Sequence, residues 1–155
     1  MSGPVEVSAS AFEFPDGSLT DGGSGVVRVK AGFTVGNYLL GGYSDITRGL
    51  LQPYPSGRVR VYDNGVAGPD VALTADAWVV ATEVFNATAM RLNLNNATDA
   101  TGGAAGGAAP SGFQIGDDTY PVPLDWVETL IYNVTVAAPD RTAIAAYLMS
   151  KYGVS

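Results

Sequence analysis

The sequence predicts an all-β protein, a two-sheet antiparallel sandwich closed by one C-terminal α-helix. Three observations predict it. Short runs alternate apolar and polar residues, and turn residues separate them at regular intervals. Glycine is frequent, at 20 of 155 residues, while charged residues make up only 15%. That composition suits many short strands and tight turns. A 3.6-residue apolar period occurs once with clear ends, close to the C-terminus.

Residues 1–4 read as a short arm, and 5–155 as a single domain, long enough to bury a core. From Val5 to Phe14 the chain alternates, with Val5, Val7 and Ala9 against Glu6, Ser8 and Ser10. Pro15-Asp16-Gly17 then turns it. Asp21 to Gly25 reads as a glycine-rich loop, and Val26 to Lys30 as the next strand, with Val27 and Val29 opposed to Arg28 and Lys30. Phe33 to Leu40 and Ile46 to Gln52 read as further strands, and Pro53 to Gly57 as a turn. Arg58 to Tyr62 sets Val59 and Val61 against Arg58, Arg60 and Tyr62, and Asp63-Asn64-Gly65 closes that run. Trp78 to Phe85 and Ala89 to Leu94 form a hairpin joined by Asn86-Ala87-Thr88, with Met90, Leu92 and Leu94 on one face. Thr101 to Gly112 is Gly/Ala-rich and reads as an exposed loop.

The closing stretch runs from Asp125 to Gly153, a strand followed by a helix. Ile144, Tyr147, Leu148 and Tyr152 fall at helical spacing and predict a buried stripe. Pro139 suits the start of a helix, since it has no N–H to leave unpaired there. Asp140 and Lys151 complement the two ends of the helix dipole, and Gly153 suits a left-handed stop. Ala137 and Ala138 occupy the cap region, and a missing polar cap costs roughly 1 kcal/mol.

This stretch resembles the C-terminal signature of concanavalin A-like, laminin-G-type jelly-roll domains. The matching residues are Glu128, Tyr132, Asn133, Arg141, Ile144, Tyr147, Leu148, Lys151, Tyr152 and Gly153. The same family's entry strand and turn are similar to Phe12-Glu13-Phe14 followed by Pro15-Asp16-Gly17-Ser18-Leu19. Trp78 to Asn93 is similar to its central hairpin, and Gly112 to Gly116 to one of its short strands. The resemblance touches both ends of the chain, which implies a whole, trimmed-down jelly-roll domain. It also implies that Trp78 and Trp126 belong to the core.

Composition narrows the function classes. The net charge is −7 with only eight Lys and Arg, so nucleic acid and anionic membranes are poor partners. No apolar run is long enough to cross a bilayer, and the N-terminus shows no secretory pattern. The sequons at Asn86, Asn96 and Asn133 then read as chance products of an Asn/Thr-rich β protein. Without Cys or His there is no disulfide, no thiol nucleophile and no His-based triad. Some jelly-roll relatives hydrolyse glycans with paired carboxylates on one face. Here Glu6, Glu13, Glu83 and Glu128 stand alone on their strands and read as solvent-facing, so no enzyme activity is expected.

Binding remains. Jelly-roll domains of this type commonly bind carbohydrate on an aromatic platform, which points to Tyr43, Tyr54, Tyr62 and Tyr120. Many also hold Ca2+ through loop Asp and Asn residues; the candidates are Asp63, Asn64, Asp117 and Asp118, with Asn95, Asn96 and Asp99 behind them. No other cofactor is implied. Small, Ala/Gly-rich, Lys-poor domains of this kind are frequent among the surface proteins of tailed bacteriophages. The first expectation is therefore a non-enzymatic virion surface protein, a capsid decoration or minor tail protein assembled in the host cytoplasm. It would dock on other virion proteins, as a homo-oligomer, and could present a glycan-binding face. The alternative is a stand-alone carbohydrate-binding module, and a glycan hydrolase comes third. On the docking reading, deleting residues 1–4 should weaken assembly on the partner surface and leave the fold intact. Cosedimentation with that surface and circular dichroism check the two halves of this expectation.

Overall fold

A computed structural model describes the backbone at residues 5–6, 12–14, 22–29, 40–42, 45–54, 57–63, 66–84, 89–103, 113–115, 124–132 and 136–155. Side chains are described at 24–29, 57–62, 66–84, 89–103, 124–132 and 136–155. The strands are β1 (Val5–Glu6), β2 (Phe12–Phe14), β3 (Gly22–Val29), β4 (Leu40–Gly42), β5 (Asp45–Tyr54) and β6 (Arg58–Asp63). They continue as β7 (Val66–Ala72), β8 (Trp78–Val84), β9 (Met90–Leu94), β10 (Ala100–Gly102), β11 (Phe113–Ile115) and β12 (Leu124–Tyr132). Helix α1 spans Ala138–Tyr152. Two six-stranded sheets result, ordered β1-β12-β3-β8-β9-β10 and β2-β11-β4-β5-β6-β7, and the pairings are antiparallel throughout. The all-β, two-sheet jelly-roll sandwich with a C-terminal helix is the observed architecture.

Between the sheets lie Val27, Val29, Val79, Ala81, Met90, Leu92, Leu124 and Trp126 from the first sheet and Val59 and Val61 from the second. The first sheet buries its other face too. Val26 and Val80 pair in register and meet Ala145 and Leu148 of α1, with Trp78, Ile144 and Tyr152 at the margin. Strands covered on both faces read as nearly continuous apolar runs, and β8 is buried along almost its whole length. Trp126 is core as expected, whereas Trp78 is half-buried beside the helix.

Several expectations change at the element level. Val5 to Phe14 is not one strand: β1 and β2 belong to different sheets. The glycine-rich run at 22–25 is strand, not loop. Its lack of side chains has a use at Gly25, where a Cβ would come within 2.9 Å of Trp126 Cζ2. The indole lies where a side chain on β3 would project. Strand β5 extends through Pro53 and Tyr54, leaving the turn to Gly57, whose φ is +69°. The Gly/Ala stretch begins as a strand, since Thr101 and Gly102 pair with β9. Strand β7 went unforeseen because Gly68 and Pro69 interrupt it; Pro is tolerated there because β7 is an edge strand. Phe33 to Leu39 lies outside the described residues.

The helix starts after Ala137, which gives no side-chain cap bond, and stops at Gly153 with φ 65°. Val154 N–H donates to Met149 O at 3.0 Å and the Val154 side chain is buried, the hydrophobic partner such a stop favours. The buried stripe differs from the predicted one. Leu148 is fully buried and Ile144 and Tyr152 are half-buried, but Tyr147 is 55% exposed. Arg141 and Ala145 take its place inside. Tyr147 instead lies beside Lys151, whose Nζ sits 5.5 Å from its ring centroid.

Polar ties fix the helix and the central strands. Lys151 Nζ donates to Glu128 Oε2 at 2.7 Å, and Tyr152 OH donates to the same oxygen at 2.5 Å. Glu128 is therefore engaged with the helix end and not merely solvated. Across β12, β3 and β8, Asp125, Arg28 and Trp78 sit in one register row. Arg28 is ion-paired to buried Asp125 and its Cζ lies 4.8 Å from the Trp78 ring centroid. At the end of β9, Asn95 N–H donates to Val80 O and its Oδ1 accepts from Val80 N–H, both at 2.9 Å. Its side chain thus extends the sheet ladder.

Glu83 overturns the solvent-facing expectation. It shares the β8 face of Val79 and Ala81, is 4% exposed, and its Oε2 has no hydrogen-bond partner. No face of β8 is left to solvent, so alternation could not place this carboxyl outside.

Two outcomes follow. Gly25→Val should destabilise the fold by about 1–3 kcal/mol, because the new side chain must displace the Trp126 indole; urea unfolding measures it. Burial pushes the Glu83 carboxyl up to about 8 from the usual 4.5. Between those values the folded state keeps a proton that the unfolded chain has released, so stability falls as pH rises through this window and levels off above it. One such proton gives a slope of about 1.4 kcal/mol per pH unit. Glu83→Gln should abolish that slope in urea titrations at about pH 5 and about pH 8.

Candidate functional site

The second sheet turns its outer face away from the sandwich core. Val59 and Val61 point inward, so Arg58, Arg60 and Tyr62 project outward from β6. Arg60 pairs in register with Asp70 on β7, and Tyr62 with Ala67 beyond a bulge. The bulge lies in β7, where Gly68 and Pro69 stand opposite Val61, and it bends that strand between Ala67 and Asp70. Arg60 Cζ lies 5.0 Å from the Tyr62 ring centroid. Arg58 is ion-paired through Nε to Asp70 Oδ1, and its Nη2 donates to Asp70 O at 3.1 Å. The side chains of Arg58 and Asp70 are 40% and 36% exposed, so this pair stays within reach of a ligand.

The arrangement offers an aromatic ring, guanidinium donors and a carboxylate acceptor on one half-exposed sheet face. Two of its side chains are held by partners on the same face, which lowers the ordering cost of binding. An exposed ion pair of this kind adds at most about 1 kcal/mol to stability. Positioning is its larger effect.

Of the tyrosines singled out in the sequence, Tyr62 lies on this face. Tyr54 ends β5 at the position paired in register with Arg58, and its side chain lies outside the described residues. Arg58 and Tyr62 are four residues apart along β6, a span of about 13 Å. Tyr43 and Tyr120 lie outside the described residues. So do Asn64, Asp117 and Asp118 of the calcium set, while Asp63 is described only as the strand position opposite Val66. Asn95 and Asn96 adopt positive φ at the turn after β9, and Asp99 is ion-paired to Arg141. Among the described residues no cluster of three or more acidic side chains gathers to hold a metal ion.

Sequence reading placed Arg58 and Arg60 on the polar side of β6 but did not join them to a site. Asp70 was missed with its strand. The signal was local all the same: Arg-x-Arg-x-Tyr followed within one hairpin by an acidic residue.

No protein-family model matches the sequence, and no curated protein matches it. Solved structures do match in fold. Trypanosoma rangeli sialidase superposes with a TM-score of 0.69 at 15% identity, over 98% of this chain and 28% of the sialidase. The carbohydrate-binding module CBM40 of the Ruminococcus gnavus IT-sialidase, bound to α2,3-sialyllactose, gives 0.59 at 11% identity, over 93% and 97%. Domain 4 of a GH43 extracellular arabinanase from Geobacillus stearothermophilus, in complex with arabinotriose, gives 0.60 at 14% identity, over 90% and 75%. This chain thus spans little more than a quarter of the sialidase. At these identities the likeness is one of fold, a concanavalin A-like β-sandwich.

Proposed function

We propose that this protein is a carbohydrate-binding module that holds an oligosaccharide against the outer face of β5, β6 and β7. The observation that carries the reading is the half-exposed Tyr62–Arg60 pair flanked by the Arg58–Asp70 pair. A pyranose or furanose ring has an apolar C–H face and a rim of hydroxyls. The first packs on the Tyr62 ring and the second exchanges hydrogen bonds with the guanidinium and carboxylate groups. Two neighbours in fold, the CBM40 module and the arabinanase domain, were solved with oligosaccharides bound, which supports this class of ligand.

We infer that binding occurs without turnover. Most glycoside hydrolases flank the bond with two carboxyl groups. Among the described side chains of this face the one carboxylate is Asp70, which is already paired with Arg58.

The virion docking role rests on composition and family analogy. It parts from the module reading in one experiment. The protein is titrated calorimetrically with a glycan panel that includes α2,3-sialyllactose and arabinotriose, and its solution mass is measured by light scattering. The module reading expects saturable binding of at least one oligosaccharide with no product formed. It also expects Tyr62→Ala to weaken that binding at least about tenfold, or 1.4 kcal/mol. A homo-oligomer inert to every glycan but able to add to capsids or tails would reject the module and support docking.

A further inference from the structure

One border of the sandwich offers a long strand edge. The first sheet begins β1-β12, but β1 pairs only with Asp125 and Trp126. From Val127 to Tyr132 the outer edge of β12 has no strand partner among the described residues, a length of about 20 Å. Burial agrees with an open edge. Strand β8, inside the same sheet, is buried from Val79 to Val84, whereas every residue of β12 after Trp126 is half-buried or exposed.

Free edges invite another strand, and proteins commonly guard them with prolines, bulges, charges or short length. The other described borders follow that rule. Strand β7 carries Pro69 and a bulge, and β2 and β10 are three residues long. On β12 the run Thr129-Leu130-Ile131-Tyr132 has neither charge nor proline. Its bulge lies at Val127, where β1 has already stopped, so the run beyond it pairs regularly with β3.

The surface beside this edge is apolar. Among the described residues the large apolar side chains left exposed are Val127 and Tyr147, at 36% and 55%. Both adjoin the same border. Val127 precedes Glu128, and Tyr147 lies beside Lys151, which donates to Glu128. The helix is seated on Val26 of β3 and Val80 of β8, inward of the β12 edge.

Charge and symmetry select the occupant. Each chain carries −7, so two copies repel over much of their surfaces. At this border Glu128 and Lys151 neutralise each other, so two copies can approach here. A second β12 laid antiparallel also matches in pattern. A twofold axis normal to the sheet reverses the strand and keeps its faces, so the helix side meets the helix side and the inner side meets the inner side. Leu130 packs with the helix cluster and Ile131 with the inner core, and each would meet its own kind. The contact is isologous and closes, because it uses up both free edges and stops at two copies. We propose that the free edge of β12 binds a second copy of this chain, giving a twofold dimer whose first sheet runs on across the interface. The dimer does not depend on glycan binding. If the Tyr62 face holds glycan, the same axis sets both such faces on one side of the dimer, which favours avid binding to a glycan-bearing surface.

The test is sedimentation velocity of the full chain at concentrations up to about 1 mM, which detects a Kd of that order. The expected result is a monomer–dimer equilibrium that stops at twice the chain mass. Val127→Glu adds a like charge to both copies at an exposed position; it should raise the Kd at least tenfold with the circular dichroism spectrum unchanged. Hydrogen exchange needs no variant: amides within 127–132 should slow as the concentration rises through the transition, while those of β7 should not. The proposal is overturned by a monomer throughout, by growth past the dimer, or by a dimer whose 127–132 amides gain no protection. It is also overturned if folded Val127→Glu dimerises as well as the parent chain. A dimer seen only after deletion of residues 1–4 would overturn it too, by assigning the edge to that arm.

Discussion

Strands β3 and β8 are covered on both faces, and this double burial governs the molecule. One face builds the core between the sheets through Val27, Val29, Val79 and Ala81, and the other carries the helix on Val26 and Val80. The helix could not persist alone, being uncapped at its start and only 15 residues long. Leu148 and Ala145 give it an apolar seat. The ties from Lys151 and Tyr152 to Glu128, and from Arg141 to Asp99, fix its two ends. In return it shields a sheet face that would otherwise be an exposed apolar surface.

The same division explains what was legible in the sequence. The closing helix and the Trp78–Asn93 hairpin could be read because their periodicity coincides with single elements. The motif that carried the family resemblance has a physical basis: Glu128, Arg141, Leu148, Lys151 and Tyr152 are the residues that bind helix to sheet. Alternation failed where burial is two-sided. It could not place Glu83, and it set Asn93 on a polar face that the helix start partly covers. Glycine misled for a different reason: 22–25 has a loop's composition, but its missing side chains make room for Trp126.

Sites proved harder to read than strands because their members come together through the fold. Arg58, Arg60 and Tyr62 could be placed on one face from β6 alone, yet Asp70 required a strand hidden by Gly68 and Pro69. Asp99 and Arg141 are separated by 42 residues, and no spacing rule joins them.

Pro69 has a further consequence. Strand β7 ends the second sheet, and an exposed strand end-on to solvent is a template on which another chain can add its own backbone. A proline there has no amide hydrogen to offer an incoming strand, and the bulge in which it sits twists the ladder out of line. Next to it, β9 and β10 of the other sheet close the flank. In a chain composed so largely of alternating β sequence, the residue that obscured this strand to a reader of the sequence also makes its border a poorer template for fibrous growth.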